Sequence, residues 1–398
     1  MGMIINIDQA LELRSDYNIL REPLNAMLQA QQEAWERENP IDLLFHRSTI
    51  STFQETYTSS IGFDHAFAET GDYAVGPIFN TAEGFSATYR TRTFQGGFII
   101  TQQTLEDRQL GRAKDDASAF IKRWHADCVE YAMAAISAGF GNVVTWGSAA
   151  NGGESRLKLT SADTTDGELD GVKNPLFSTA HTIVKRKGMT ATQINAAKQS
   201  NLFRADIKMN DIAKLADVVN QVITIMENYK DDNNKRAGVL GAKTIVAPNN
   251  PHLTAALNTA LSMDMFKDIN GGQGINPAYK RATIKTTPYL LDIPQCANGK
   301  GFFIVDKAYN AANHGPEFTE RIPLTLDVEN TKRPKGVTYE GRQRFDINVA
   351  SWRGIAYVYI GTATSDAWTN GTVITPAEPI AKPVTIVNAS EIGAGTGT

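Results

Sequence analysis

Residues 84 to 139 read GFSATYRTRTFQGGFIITQQTLEDRQLGRAKDDASAFIKRWHADCVEYAMAAISAG, and two different periods meet within them. From Ala87 to Phe94 polar and aromatic residues alternate with the period of two that a strand requires. From Arg112 onward the period is helical. Ala113, Ala117, Phe120, Ile121, Trp124, Cys128, Tyr131 and Ala135 fall on one face, while Lys114, Asp115, Lys122, Arg123, Asp127 and Glu130 take other positions. Thr104, with Asp107 three positions later, offers an N-terminal cap, and Gly139 and Gly141 supply a stop. At ~1.5 Å per residue such a helix spans roughly 40 Å, enough to be the spine of a domain. The stretch predicts a projecting β-hairpin that returns into a long central helix.

On the N-terminal side, residues 8 to 38 read as helix. Leu11, Leu20, Leu24, Met27, Leu28, Ala34 and Trp35 recur mostly at three, four or seven, with a break at Pro23 and an end at Asn39-Pro40. This arm has too little apolar surface to be a domain, so it is expected to lie across a neighbour or the main body. Residues 49 to 100 are rich in Ser, Thr, Phe, Tyr and Gly and read as strand and loop, polar on both faces for most of their length. Such a segment is stable mainly when it packs on another subunit; the alternative is an edge hairpin of a monomeric β-domain.

On the C-terminal side, residues 142 to 190 are loop-rich and read as an excursion. Asn210 is positioned to cap a helix reaching about Tyr229 through Ile212, Leu215, Val219, Val222 and Met226. A buried-type strand follows at Lys243 to Ala247, then a helix opening at Asn249-Asn250-Pro251 with proline in the first turn. The glycine-rich run from Asn270 to Gly274 reads as a mobile loop. Strand signals recur at 282–293, 302–306 and 324–328, and most clearly at 337–360 around a turn near Arg353-Gly354. Residues 362 to 398 lose periodicity, and their end is expected to be disordered.

Composition limits the functions open to the chain. Its 398 residues carry a formal net charge of −4, which disfavours a dedicated nucleic-acid binder but not a container for nucleic acid. No apolar run approaches the ~20 residues of a membrane span, and the first residues lack the pattern of a secretory signal. Two distant cysteines, Cys128 and Cys296, make no disulfide framework and suit a reducing cytoplasm. His125 and Cys128 are one helical turn apart, but no second His/Cys pair joins them, so a packed helix face is the reading. The run at 270–274 lacks the ending of a phosphate loop, and no G-x-S-x-G elbow is present. No constellation suits catalysis, a cofactor or a metal, and the chain is expected not to be an enzyme.

The order of these elements resembles the major capsid proteins of tailed bacteriophages, with their Hong Kong ninety-seven-type shell fold. The resemblance spans roughly residues 45 to 362. It rests on Arg90 to Phe98 running through Thr101 to Asp107 into the long helix, on Pro175 to His181, and on Thr244 to Pro248 before an alanine-rich helix. It rests also on Thr286 to Leu290 through Phe302 to Asp306, and on the closing Phe345 to Ile360. It implies an α+β subunit in parts: an N-terminal arm at 1–48 and an extended β-hairpin loop region at 49–100. A peripheral domain with the spine helix would occupy 101–204 and 330–362, a mixed α/β axial domain 205–329, and a partly disordered C-terminal segment 363–398. It further implies self-assembly as hexamers and pentamers, a portal protein, a separate scaffold protein given the short arm, a decoration protein in some members, and enclosure of double-stranded DNA without sequence-specific binding. The place of action would be the virion, assembled in the host cytoplasm, with no membrane.

Some members of that family cross-link subunits through a lysine on the extended loop. This chain has no lysine before Lys114, so the expectation is a non-covalent shell. Arg90 and Arg92 are expected to pair with neighbours' carboxylates, and Phe94 and Phe98 to join them as inter-subunit contacts. An encapsulin-like nanocompartment subunit is the alternative, and a hydrolytic enzyme the more distant one.

Overall fold

The computed structural model describes residues 4–6, 15–37, 39–63, 69–70, 78, 81–107, 110–148, 153–157, 175–181, 190, 192, 197–231, 235–267, 273–332 and 335–376. In chain order the elements begin with β1 (Ile4–Asn6), α1 (Ser15–Arg37), β2 (His46–Thr49), β3 (Gln54–Phe63), β4 (Thr81–Arg90) and β5 (Arg92–Thr101). Next come α2 (Gln102–Glu106), α3 (Leu110–Ala138), β6 (Val144–Ser148), β7 (Gly153–Leu157), β8 (Leu202–Ala205) and α4 (Ile212–Glu227). They are followed by β9 (Lys243–Pro248), α5 (Pro251–Ser262), β10 (Met265–Lys267), β11 (Gln273–Ile275), β12 (Ala282–Thr287) and β13 (Gly301–Asp306). The series closes with α6 (Lys307–Ala312), β14 (Glu317–Lys332), β15 (Lys335–Asn348), β16 (Ile355–Ile360) and β17 (Thr372–Val373). The fold is mixed α+β, built on two sheets that share one long helix.

The first sheet is a long antiparallel ladder. β14 and β15 pair from Glu317↔Asn348 out to Lys332↔Lys335, with register shifts near Ile322. β5 covers the other side of β15, and β1 and β2 lie parallel along β14. Leu324, Leu326 and Val328 alternate onto one face with Val337 and Tyr339, where they meet Ala113, Ala117 and Ile121 of α3. The seat for α3 is made by glycine. Gly96 and Gly341 are opposite each other in the β5–β15 register, and a Cβ on Gly341 would stand 3.0 Å from Phe120 Cζ and 3.2 Å from Trp124 Cζ3. The bare backbone pair therefore takes two aromatic rings, and the Trp124 indole N–H is fixed by donating to Gln343 Oε1 at 2.7 Å.

At 29 residues α3 is about 43 Å long. Its second half keeps Tyr131 on the first sheet, against Phe345 and Asp346, and carries Val129, Ala132, Met133 and Ile136 into the larger core. That core surrounds the second sheet, ordered β12-β9-β13-β16-β8-β17. β13 and β16, GFFIVD and IAYVYI, are buried along their whole length, as strands covered on both faces should be. Helices α4 and α5 supply apolar faces to the same core. Asn250 caps α5 by accepting from the His252 and Leu253 amides at 3.0 and 3.3 Å, ahead of the proline at N1. At the end of β13, Lys243 and Asp306 form an ion pair of 2.8 Å with side chains 2% and 0% exposed. The remaining ammonium donors go to the Gly241 and Val239 carbonyls, and Asp306 Oδ1 caps α6 through the Tyr309 amide.

Several sequence expectations shift. The cap before the long helix is Thr101, whose Oγ1 accepts from the Thr104 amide and opens the separate short helix α2. Asp211, not Asn210, caps α4. The part of α1 whose side chains are described lies on α3: Leu28 is buried among Ala113, Ala117 and Ile121, and Gln31 bonds Ser118 at 2.7 Å. The 337–360 region does not stay together. β15 belongs to the first sheet and β16 to the second, and the chain crosses between them at the buried Trp352. β14 and β15 are one ladder of the first sheet, lying on both sides of residue 329, and β16 pairs with β8 in the second sheet. Of the C-terminal segment, β17 pairs with β8, and residues 377–398 lie outside the described residues, as does most of the 270–274 loop.

Candidate inter-subunit surface

The β3–β4 hairpin joins neither sheet, as is true also of the β6–β7 and β10–β11 pairs. β3 and β4 pair only with each other, from Gln54↔Arg90 through Thr56↔Thr88 to Phe63↔Thr81. The expected loop region thus splits: residues 54–63 and 81–90 pair with each other, while β5 returns into the first sheet. Near its root the hairpin has two unlike faces. Tyr57, Phe85, Ala87 and Tyr89 form a small apolar cluster with Ala350. The opposite face carries exposed Gln54, Thr56, Thr58, Ser86, Thr88 and Arg90. Polarity on both faces, as read from the sequence, therefore fails at the root, where the period of two places aromatic rings on the inner side.

The inner face rests on one turn of the body. His314 adopts a left-handed backbone with φ of 50°, and its ring stacks on Tyr57 with centroids 4.2 Å apart. Tyr89 is edge-on to Tyr57 at 4.8 Å and donates its hydroxyl to the His314 carbonyl at 3.4 Å. His314 Nδ1 donates to Glu317 Oε1 at 3.1 Å, and the Glu317 side chain is 2% exposed. The Tyr57 hydroxyl donates to Glu55 Oε2 at 2.9 Å. That hydrogen bond holds Glu55 below the ordinary carboxylate value, while burial pushes Tyr57 up to about 12 and Tyr89 higher still. None of these anchor residues was singled out from sequence. The period-two placement of Tyr57, Phe85, Ala87 and Tyr89 was the available signal, and for His314 there was none.

The four residues expected at subunit contacts have distinct places. Arg90 is exposed and donates to Gln54 Oε1 at 3.0 Å. Arg92 pairs with Asp346 at 3.0 Å, keeping 40% of its side chain exposed; Asp346 also accepts from Tyr131 at 2.6 Å, and burial holds its carboxyl above the usual value. Phe94 stacks on Phe345 at 4.5 Å and meets Tyr131 and Trp146 edge-on. Phe98 stacks on Tyr339 at 4.9 Å. Both phenylalanines are half-buried against the chain's own body.

A second surface lies at the β10–β11 hairpin. Met265 and Ile275 are directly paired in the β10–β11 hairpin, and with Met263 and Tyr279 they leave four large apolar side chains at 39–55% exposure. Among the described residues no group of three His, Cys, Asp or Glu side chains is placed to hold a metal, and no helix is long and apolar enough to cross a membrane. His125 and Cys128 are packing residues: His125 stacks on Trp35 at 4.4 Å and donates to Gln32, and burial lowers it to about 4. Cys128 is buried beside Gln343, its thiol raised well above the usual range by that burial.

No protein-family model matches this sequence, and no curated protein matches it. Among solved structures, the chain is similar to one of Mycobacterium phage Patience, at 16% identity over 93% of this chain and 97% of that one, with a TM-score of 0.44. It is similar to the satellite phage P4 procapsid that includes the size determination protein, at 15% identity over 84% and 91%, with a TM-score of 0.40. It is also similar to a virus-like particle from Pyrococcus furiosus, at 8% identity over 85% and 98%, with a TM-score of 0.40.

Proposed function

We propose that this chain is the major head-shell protein of a tailed phage, which self-assembles through hexamers and pentamers into an icosahedral shell enclosing double-stranded DNA. The observation that carries the reading is the hairpin. A two-stranded ribbon has little independent stability in water. This one is held at its root by one aromatic face, while the described side chains of its other face are a row of hydroxyls, an amide and a cation with no body beneath them. Laid on a second copy, that face would be covered. The paired and exposed Met265 and Ile275 support the same reading, since large apolar side chains exposed together suit a contact surface.

In the shell Arg90 pairs with a neighbour's carboxylate, and Arg92, Phe94 and Phe98 contribute from the sides they leave open. The assembly is non-covalent, formed in the host cytoplasm with a portal, a separate scaffold protein and, where present, a decoration protein, and it confines DNA without reading its sequence. The chain performs no catalysis. Sedimentation velocity on the purified protein tests assembly: pentamers, hexamers and much larger closed species are expected as concentration rises. A monomer at every concentration overturns the proposal. Nuclease-resistant double-stranded DNA in particles from the native source is the second expected result; particles filled with protein cargo would make the chain a nanocompartment subunit instead.

A further inference from the structure

We propose that residues 377–383 of the chain itself seat in a cleft beside the start of α4 and α5, as a strap over that end of the second sheet. The cleft has a volume of about 570 Å³. Its apolar lining is Met209 and Ile212 at the entry to α4, with Ala255 and Ala256 on α5. Lys300 and His252 also line it, and no carboxylate does. An apolar trough beside a lysine suits a segment that carries an apolar stripe and an acid. Residues 377–383 lie outside the described residues, and the end of the described chain shows where they begin.

The chain heads for this cleft as it leaves β17. Val373 is beside Arg204 of β8, which is beside Tyr359 of β16 and, one strand further, Gly301 of β13. The parallel strands β17 and β8 therefore both run to the Gly301 end of the sheet, where Lys300 precedes β13 and where β8 continues through Met209 into α4. Beyond β17 the Ile374 amide donates to the Arg204 carbonyl at 2.8 Å, and the Thr375 carbonyl accepts from Gln221 of α4 at 3.1 Å. Gln221 is nine residues along α4 from Ile212, about 14 Å on the helix axis. Five residues of extended chain at ~3.1 Å each cover that distance and bring Ile380 to the cleft. The sequence from 376 to 383 is PAEPIAKP, and its three prolines favour the polyproline conformation. With three residues per turn, Ala377, Ile380 and Pro383 share one side and Glu378 takes another. The apolar side matches Met209, Ile212 and the two alanines, and the Glu378 carboxylate matches Lys300. Proline also fixes the segment beforehand, so less entropy is lost on docking. The strap pins β17, an edge strand of two residues. This concerns a single chain, and it stands or falls apart from the shell reading.

Thiol labelling of the full-length, unassembled chain with iodoacetamide tests it. Ala255 is exposed when only the described residues are counted, so an Ala255→Cys thiol reacts freely unless residues 377–383 cover it. The native Cys128 and Cys296 are buried and do not compete. The Ala255→Cys thiol is expected to react slowly, and adding Ile380→Asp is expected to speed it about tenfold. Ser262→Cys, at the other end of α5, should react equally fast with and without Ile380→Asp. The slow reaction should persist at the lowest protein concentration that can be assayed. An Ala255→Cys thiol as reactive as that of Ser262→Cys, or a slow reaction that Ile380→Asp does not relieve, overturns the strap. Protection that fades on dilution assigns the cleft to a second copy's segment and overturns it equally.

Discussion

Tyr89→Ala should undock the hairpin and leave the rest of the chain folded. Tyr89 is 1% exposed, and a buried aromatic removed to alanine costs about 3–5 kcal/mol. Its cluster contains Tyr57, Phe85, Ala87 and Ala350, and it is separate from the two cores that hold the sheets. The loss therefore falls on docking alone. A penalty of about 4 kcal/mol lowers the docking equilibrium by roughly a thousandfold, and a two-stranded ribbon has no reserve of its own to absorb that. Tyr89→Phe removes the hydroxyl, with its long 3.4 Å bond to the His314 carbonyl and its hydrogen bond with the Ala350 backbone, and should cost far less, about 1–2 kcal/mol. The assay is hydrogen exchange resolved by segment, alongside urea unfolding. In Tyr89→Ala the amides of 54–58 and 85–90 should lose protection while β13, β16 and the urea midpoint stay within error. If instead the urea midpoint falls by the whole amount and the hairpin exchanges no faster than the sheets, the hairpin belongs to the cooperative core and the reasoning is wrong.

The buried Lys243–Asp306 pair should show strong coupling: Lys243→Met or Asp306→Asn alone should each cost about 3–5 kcal/mol in urea unfolding, and the double variant far less than their sum. Additivity within about 0.5 kcal/mol would mean that the pair is not an interacting unit. Acid should weaken the fold through His181, which is fully buried, stacks on Trp352 at 4.1 Å, donates to Asn201 and is lowered by burial to about 3. The unfolded chain takes that proton first, near pH 6.5, so the stability present above that pH drains away as pH falls towards 3; between pH 7 and 5 the loss is about 2 kcal/mol. Asp346 and Glu320, raised by burial, work the opposite way, so the comparison is with His181→Gln, whose stability should fall less by about that amount; identical pH profiles would contradict the assignment. Assembled particles boiled in detergent should run as a single monomer band on a denaturing gel, because no lysine precedes Lys114, whereas a ladder of covalent multimers would refute a non-covalent shell.

What could be read from sequence followed from how locally each signal is written. The spine helix was legible because Ala113, Ala117, Ile121 and Trp124 repeat within one element, and its glycine stop lies beside it. Phe302 to Asp306 was legible as an apolar run, and Asn250-Pro251 carries its own cap. The 16-residue strand β14 showed only its middle, Leu324 to Val328, because its ends gain their strand character from pairing with β2 and β15. The turn at 351–354 gave no sign that it changes sheets, since alternation looks the same whichever sheet a strand joins. The hairpin's anchor was the least legible part. Tyr89 and His314 are 225 positions apart, and neither neighbourhood carries a pattern that points to the other. Strand alternation shows that Phe94 and Phe98 share a face but not which face meets α3. The flat glycine seat at Gly96 and Gly341 decides that.

Electron cryo-microscopy of the concentrated, purified protein tests the central claim most directly. The expected result is closed shells in which the 54–90 hairpin of each subunit lies on the body of the next, with its Thr56, Thr88 and Arg90 face covered and the Met265–Ile275 corner turned toward the centre of each pentamer or hexamer. Dispersed single chains, or assemblies in which that face of the hairpin stays in solvent, would contradict it.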